Sequence, residues 1–268
     1  MMFTGFRLYL SAVLLVAAVC LSLFPGKALA GDAFSEKVAA LRAELSGYRD
    51  SLPAKERHDA GKRINAALLE VLREAESLEA TPGDILGDDG RFGLSFGNWA
   101  GAGERQYRLI ILRPNEMDAG AMTSVFSQAR RGGRAISAEK VHTLSQGAVT
   151  GDIAFSEIVG SGSGLLLVIA EKLCGPEGKY VSVYTRKLEK GKWREELNPP
   201  KLKGRGQWTA RTGDRSFSIS HAALGRQSEN DLEVRAGRGG IEILAVDRAD
   251  MPFDNTWIGL AEGAWVIK

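Results

Sequence analysis

The spacing of apolar residues changes near residue 84, and this change constrains the fold more than any other feature of the sequence. Before it, apolar residues recur every three or four positions, as on one face of a helix. After it, apolar and polar residues alternate, as in a strand with one buried face. Separate helical and strand segments are typical of an α+β fold, with helices followed by a mainly antiparallel β domain.

Two amphipathic helices are predicted within residues 31–82, with Ser51 and Pro53 between them and Thr81-Pro82-Gly83 after them. A short join between two such helices favours an antiparallel helical hairpin. Its apolar stripes either pack on each other and on the β domain, or bind a protein partner or a second copy of the chain. The side chains that would form such a docking surface are Val38, Leu41, Leu45, Ile64, Leu68 and Val71.

Residues 83–268 are predicted to form the β domain, because many short alternating segments are separated by Gly-rich turns. Leu165 to Ala170 is continuously apolar, which is typical of a strand buried on both faces. In 216–221, serines alternate with Phe217, Ile219 and His221. The pattern favours a sandwich or a barrel, with a small β-propeller-like domain as the alternative.

One helix is predicted to interrupt these strands. Met122, Val125, Phe126 and Ala129 have the spacing of a helical stripe, and Gly132 follows where a C-terminal cap belongs. We expect this helix to cover one face or one end of the sheet.

Residues 1–30 are typical of a signal peptide. Arg7 precedes an apolar run from Leu8 to Phe24, and Ala28 and Ala30 provide the small residues of a cleavage site. We expect cleavage after Ala30 and an extracytoplasmic location, in the periplasm or outside the cell. An uncleaved anchor is the alternative, although about 20 apolar residues are needed to span a bilayer.

Removal of this segment changes the charge and the cysteine content. The chain has 35 basic and 33 acidic residues, and Arg7 and Lys27 leave with the signal, so the mature charges balance. A balanced chain offers no general attraction for nucleic acid, and we expect no stable membrane span after cleavage. Cys174 becomes the single cysteine, which we predict to be a packed or half-buried thiol rather than a nucleophile or an intermolecular bridge.

Catalytic motifs are weak. Ser95 is the centre of a G-x-S-x-G sequence, but the alternation around it predicts a strand, whereas a nucleophile elbow needs a turn into a helix. The histidines, His58, His142 and His221, have no metal-ligand spacing, so we predict neither metal nor cofactor. His221 is the candidate general base, because it continues the apolar face of its strand.

Ligand contacts are indicated only by arginine-glycine segments and tryptophans; the candidate residues are Arg130, Arg131, Arg134 and Trp208. We therefore expect an exported, non-catalytic binding or assembly module of the cell envelope. The alternative is an envelope hydrolase that uses His221 as its base. A third possibility is a β module that presents the Gly160–Gly164 loop to a partner.

Overall fold

A computed structural model describes residues 25–48, 52–74, 80–88, 90–101, 104–115, 123–144, 150–161, 164–195, 205–237, 240–261 and 264–268. The chain is mostly antiparallel β-sheet with a few helices, which confirms the predicted α+β class. The apolar run of the predicted signal peptide, up to Phe24, lies outside the described residues.

The helical part precedes the sheets. Its helices are α1 (Pro25–Gly47), α2 (Ala54–Arg73) and α3 (Pro82–Leu86). The short helix α3 begins at a capping box, in which Thr81 accepts from the backbone N–H of Asp84 and the Asp84 carboxylate accepts from that of Thr81. Arg42 of α1 then donates to the Asp84 carbonyl at 2.7 Å, which ties α3 to α1.

The strands form three antiparallel sheets in chain order. The first contains β1 (Phe92–Phe96), β2 (Arg105–Pro114), β3 (Ser124–Arg131) and β4 (Arg134–Thr143). The second contains β5 (Thr150–Ser161), β6 (Gly164–Gly175), β7 (Gly178–Glu189), β8 (Lys192–Glu195), β9 (Trp208–Thr212) and β10 (Ser216–His221). The third contains β11 (Asp231–Gly237), β12 (Gly240–Val246), β13 (Pro252–Ala261) and β14 (Ala264–Ile267).

Neighbouring strands of the first and third sheets follow the chain, whereas the second sheet has the order β5-β6-β7-β10-β9, with β8 also on β7. Within the described residues, none of the three sheets closes into a barrel, so the barrel version of the prediction is wrong. A barrel needs its first and last strands to pair, and β1 and β4 lie at opposite edges of their sheet.

Three apolar clusters join these parts in sequence order. The first cluster links α1 and α2 to one face of the first sheet through residues such as Leu68 and Phe126. The second links the other face of that sheet to β6 and β7, and the third links the opposite face of the second sheet to the third sheet. Apolar burial of this kind is the main stabilising contribution in a chain whose described part has no disulfide.

Successive side chains of the segment from Leu165 to Ala170 point to opposite faces of β6 and enter two of these clusters. Val168 and Ala170 face the third sheet, whereas Leu167 and Ile169 face the first sheet, and all four are buried. The prediction of a strand buried on both faces is therefore confirmed.

The side chains proposed for partner docking lie in the core that the helices share with the first sheet. Each of them is 6% exposed or less; they are Val38, Leu41, Leu45, Ile64, Leu68 and Val71. The first sheet meets them with an apolar face of its own, including Phe92, Leu94 and Leu112. In this structure, these stripes bind the sheet and are not an exposed docking surface.

The predicted inserted helix is wrong. Val125, Phe126 and Ala129 lie in strand β3, and Met122 lies outside the described residues. β3 is buried on both faces over six consecutive residues, so its apolar side chains need not alternate and can imitate helical spacing. Gly132 has a φ of 57° and belongs to the turn between β3 and β4, where it was expected to cap a helix.

Candidate functional site

One face of the second sheet carries an ordered set of hydroxyl groups. Across β7, β10 and β9, Ser182 lies opposite Ser218, which lies opposite Arg211. In the next row, Tyr180 lies opposite Ser220, which lies opposite Thr209. We call this surface the hydroxyl face; its members are Tyr180, Ser182, Tyr184, Thr209, Ser216, Ser218 and Ser220.

Among the described residues, the first sheet packs on only part of the second and does not reach the part of the hydroxyl face on β9 and β10, whereas Ser182 on β7 is buried. The cluster between these sheets includes Leu167 and Ile169 of β6 and Trp193 of β8, but no residue of β9 or β10. Ser218 and Ser220 are accordingly half-buried, and Thr209 and Arg211 are exposed. Tyr180 and Tyr184 are four residues apart on β7, which gives the face a length of roughly 13 Å along the strand.

A cavity lies at each end of this face. One, of about 460 Å³, is bounded by the β6–β7 turn and by residues that include Tyr180, Ser218 and Ser220. The other, of about 370 Å³, lies beside β4 and is lined by Tyr184; its further polar lining residues are Lys140, His142, Thr143, Arg186, Glu195 and Arg215. We call the two cavities, together with the rows between them, the groove.

A buried acid-base pair lies at the wall of this groove. His142 of β4 contacts the carboxylate of Glu171 on β6 through Nε2, and the Glu171 side chain is fully buried. The His142 ring also packs on the ring of Tyr184, with centroids 4.5 Å apart. His142 therefore links the edge of the first sheet to the hydroxyl face of the second.

The Tyr180 hydroxyl remains protonated at neutral pH and can donate. Burial raises the pKa of Tyr180, and the nearby Tyr184, Glu171 and Cys174 raise it further. Ser182 donates to the Ser216 hydroxyl at 3.2 Å. A serine, threonine or tyrosine hydroxyl can donate and accept, so this face suits a ligand with the same double capacity.

No family model matches this chain, and comparisons with curated proteins and with solved structures gave no match either. The groove is therefore interpreted from its own chemistry.

His221 lies on the opposite face of the same sheet. Its Nε2 is 3.0 Å from the Asp254 carboxylate on the third sheet, and its Nδ1 accepts from the backbone N–H of Ala223 at 3.2 Å. Its side chain is 1% exposed. A general base needs a lone pair directed at a substrate or water, and both ring nitrogens of His221 already have partners.

The contact with His221 affects the pKa of Asp254. Burial alone would raise the pKa of Asp254, but the hydrogen bonds from His221 and from the backbone N–H of Asn255 outweigh it, and the pKa lies below its ordinary value. The pair therefore joins two sheets as a structural link. Trp208 packs beside it in the core, with its ring 4.7 Å from that of His221, and is 5% exposed.

The arginines proposed for ligand binding lie on the first sheet, away from the groove. Arg130 stacks on Trp99 at 4.2 Å and donates to Gln106, and the exposed Arg131 donates to Glu104 at 2.7 Å. Arg134 is the cross-strand neighbour of Arg131 at the β3–β4 turn.

Arg130 also lies close to a buried cation. Arg108 stacks on Trp99 and Phe96, and burial, followed by repulsion from Arg130, lowers its pKa to about 10. The Arg108 Nε donates to Gln128, whose amide donates to the Leu72 carbonyl of α2. These contacts hold α2 on the first sheet.

The remaining candidates have structural positions. Ser95 lies within strand β1, as predicted, and Cys174 is half-buried at the end of β6, also as predicted. The Gly160–Gly164 segment connects β5 to β6, and its residues 162–163 lie outside the described part. Among the described residues, no three His, Cys, Asp or Glu side chains are placed to hold a metal ion. The described helices also include none with the length and apolarity that a bilayer crossing requires.

The sequence interpretation did not identify His142 and Glu171. His142 receives no site role from the sequence, because a helix is predicted where β3 lies and His142 is therefore not placed on a strand. Gly132-Gly133 was an available signal, since a glycine pair is typical of the tight turn of a β-hairpin. Assigning that hairpin would have placed His142 on a strand.

Proposed function

We propose that this chain is an exported, non-catalytic binding module that holds an extended oligosaccharide on its hydroxyl face. The observation that carries the proposal is the set of cross-strand hydroxyl rows, half-buried or exposed on β9 and β10, with a cavity at each end. Sugar hydroxyls both donate and accept, as the serine, threonine and tyrosine hydroxyls of this face do. The rings of Tyr180 and Tyr184 add apolar surface with a polar tip.

The geometry favours a sugar chain over a peptide. Peptides on β-sheets usually add a strand to a free edge and use main-chain hydrogen bonds. Here the polar groups project from the middle of a sheet face, where β10 is paired on both sides by β7 and β9. Recognition at this face would therefore use side chains.

The proposal includes an architecture in which α1 and α2 form an antiparallel hairpin that covers a β-sandwich. Lys37 pairs with Glu74, and Arg63 donates to Glu44 at 2.9 Å. The earlier residue of α1 thus pairs beyond the later end of α2, as expected for antiparallel helices. The face-to-face clusters between sheets support the sandwich. The hairpin closes the outer side of the first sheet.

The groove is tested by removing hydroxyls from the middle of its rows. We expect the double variant Ser218→Ala, Ser220→Ala to weaken oligosaccharide binding about thirtyfold, since each lost hydrogen bond contributes about 1 kcal/mol. Isothermal titration with a panel of neutral and acidic trisaccharides measures the change. Ser95→Ala on β1 removes a strand serine elsewhere and should leave the affinity unchanged. Absence of binding by every sugar in the panel would end the proposal.

Export is tested separately by sequencing the N-terminus of the native protein. The small residues Ala28 and Ala30 fit a peptidase site, so the mature chain is expected to begin at Gly31. Recovery of protein that still begins at Met1 from the cytosol would contradict an extracytoplasmic location.

A second candidate is hydrolysis of the same ligand, which the His142–Glu171 pair specifically favours. A buried carboxylate beside a histidine at a cavity wall is an arrangement that orients a general base. Chromatography of the titration samples separates the two functions. Shortened sugars that disappear with His142→Gln would establish the hydrolase, whereas unchanged ligand supports binding alone.

A further inference from the structure

The cavity beside β4 has an excess of cationic side chains. Lys140, Arg186 and Arg215 line it, and Glu195 is the one carboxylate among the described residues of the lining. We call these four residues with their cavity the arginine pocket. It adjoins the hydroxyl face, because Tyr184 lines the pocket and lies opposite Ser216 on β10.

Arg186 is the most buried of the three cationic side chains. Its side chain is 20% exposed, and its Nε is buried with no hydrogen-bond partner among the described residues. Burial lowers the pKa of Arg186, against the opposing effects of Glu195 and Glu139. A guanidinium held in this way gains from a carboxylate that offers two oxygens in its plane.

Glu195 occupies the position of such a carboxylate. One of its oxygens accepts from Arg186 Nη2 at 3.2 Å, and the other lies 3.6 Å from Arg215 Nε. A single internal carboxylate thus bridges two guanidinium groups while Lys140 also borders the cavity. Both contacts are long for charge-assisted hydrogen bonds, so an incoming carboxylate can compete for them.

We propose that the arginine pocket binds the carboxylate of an acidic sugar, such as a uronic acid unit, in exchange for Glu195. This inference rests on the proposed function, since it assigns the acidic group of an oligosaccharide whose neighbouring units lie on the hydroxyl face. The arginine pocket selects for a negative charge on the sugar, and the hydroxyl face binds the uncharged units of the oligosaccharide.

The test compares a trigalacturonate with its methyl ester, which has the same shape without the negative charges. We expect the wild-type chain to bind the acid at least tenfold more tightly than the ester in isothermal titration. Arg215→Gln should remove most of this preference. Glu195→Gln should tighten binding of the acid severalfold, because the internal competitor loses its charge.

Arg194→Gln is the matched control. Arg194 precedes Glu195 on β8, its side chain is 66% exposed against 73% for Arg215, and it does not line the pocket. It makes the same charge change at an adjacent position, so a general electrostatic effect would appear equally in both variants. We expect less than a twofold change for Arg194→Gln.

The outcomes separate this inference from the proposed function. Equal binding of acid and ester, lost in the Ser218→Ala, Ser220→Ala variant, would overturn the arginine pocket and leave oligosaccharide binding intact. Failure of both sugars to bind would overturn the arginine pocket and the proposed oligosaccharide binding together. Tighter binding of triglutamate or inorganic phosphate than of trigalacturonate would also overturn the assignment to an acidic sugar.

Discussion

Replacing His142 with leucine is expected to lower the free energy of unfolding by about 3 kcal/mol at neutral pH. The Glu171 side chain is fully buried, and the variant removes the imidazole that contacts its carboxylate. Loss of one partner from a buried pair removes a contact that offsets the cost of burying the other group. Urea unfolding followed by tryptophan fluorescence measures the difference.

The double variant His142→Leu, Glu171→Leu is the control for this result. It replaces the pair with apolar groups in a position next to the cluster of Ile169 and Leu167, so most of the lost stability should return. An exposed pair provides the comparison: Arg211→Leu, which breaks the contact with Glu177, should cost less than about 1 kcal/mol. A double variant as unstable as the single one would show that packing, and not the lost polar contact, is responsible.

Gly178→Ala is expected to destabilise the chain by about 3 kcal/mol or more, combining backbone strain and a steric clash. Gly178 has a φ of 132°, and an added Cβ would lie 2.2 Å from the carbonyl oxygen of Leu224. Lys179 donates its backbone N–H to that same oxygen at 2.9 Å, so the contact cannot open without loss of a hydrogen bond. Thermal and urea unfolding measure the change.

Gly132→Ala is the matched variant for Gly178. Gly132 has a φ of 57° at the β3–β4 turn, and its Cβ position has no neighbouring atom within 4 Å. Strain alone then costs about 1 kcal/mol. Equal effects of the two substitutions would contradict the clash with Leu224. Since Gly178 also lines the larger cavity, its variant should weaken sugar binding, whereas Gly132→Ala should not.

Strands with one clear pattern could be predicted from the sequence, and strands with two buried faces were harder. β10 was recognised because serines alternate with Phe217, Ile219 and His221. β3 was missed because both of its faces are covered, one by the helices and one by the second sheet. Burial on two sides removes the alternation on which strand prediction depends.

The candidate site depended on pairings that no local pattern contains. The serines of β10 were visible in the sequence, but Ser182, Arg211 and Thr209 join them only through cross-strand register. His142 and Glu171 are 29 residues apart and lie on different sheets. His221 was preferred on the ground of its apolar neighbours, and those neighbours proved to be the reason that it is sealed in the core.

The order of the layers along the chain has a consequence for biogenesis. Helices, first sheet, second sheet and third sheet follow one another in sequence, and each sheet is completed before the next begins. A polypeptide that is threaded N-terminus first through a narrow channel could therefore deposit each layer on the preceding one as it emerges. Pairing between nearby segments keeps the entropic barrier to each stage low. Aggregation is most favoured before the last stage, when the apolar face of the second sheet is still exposed because β11 to β14 have not yet packed on it.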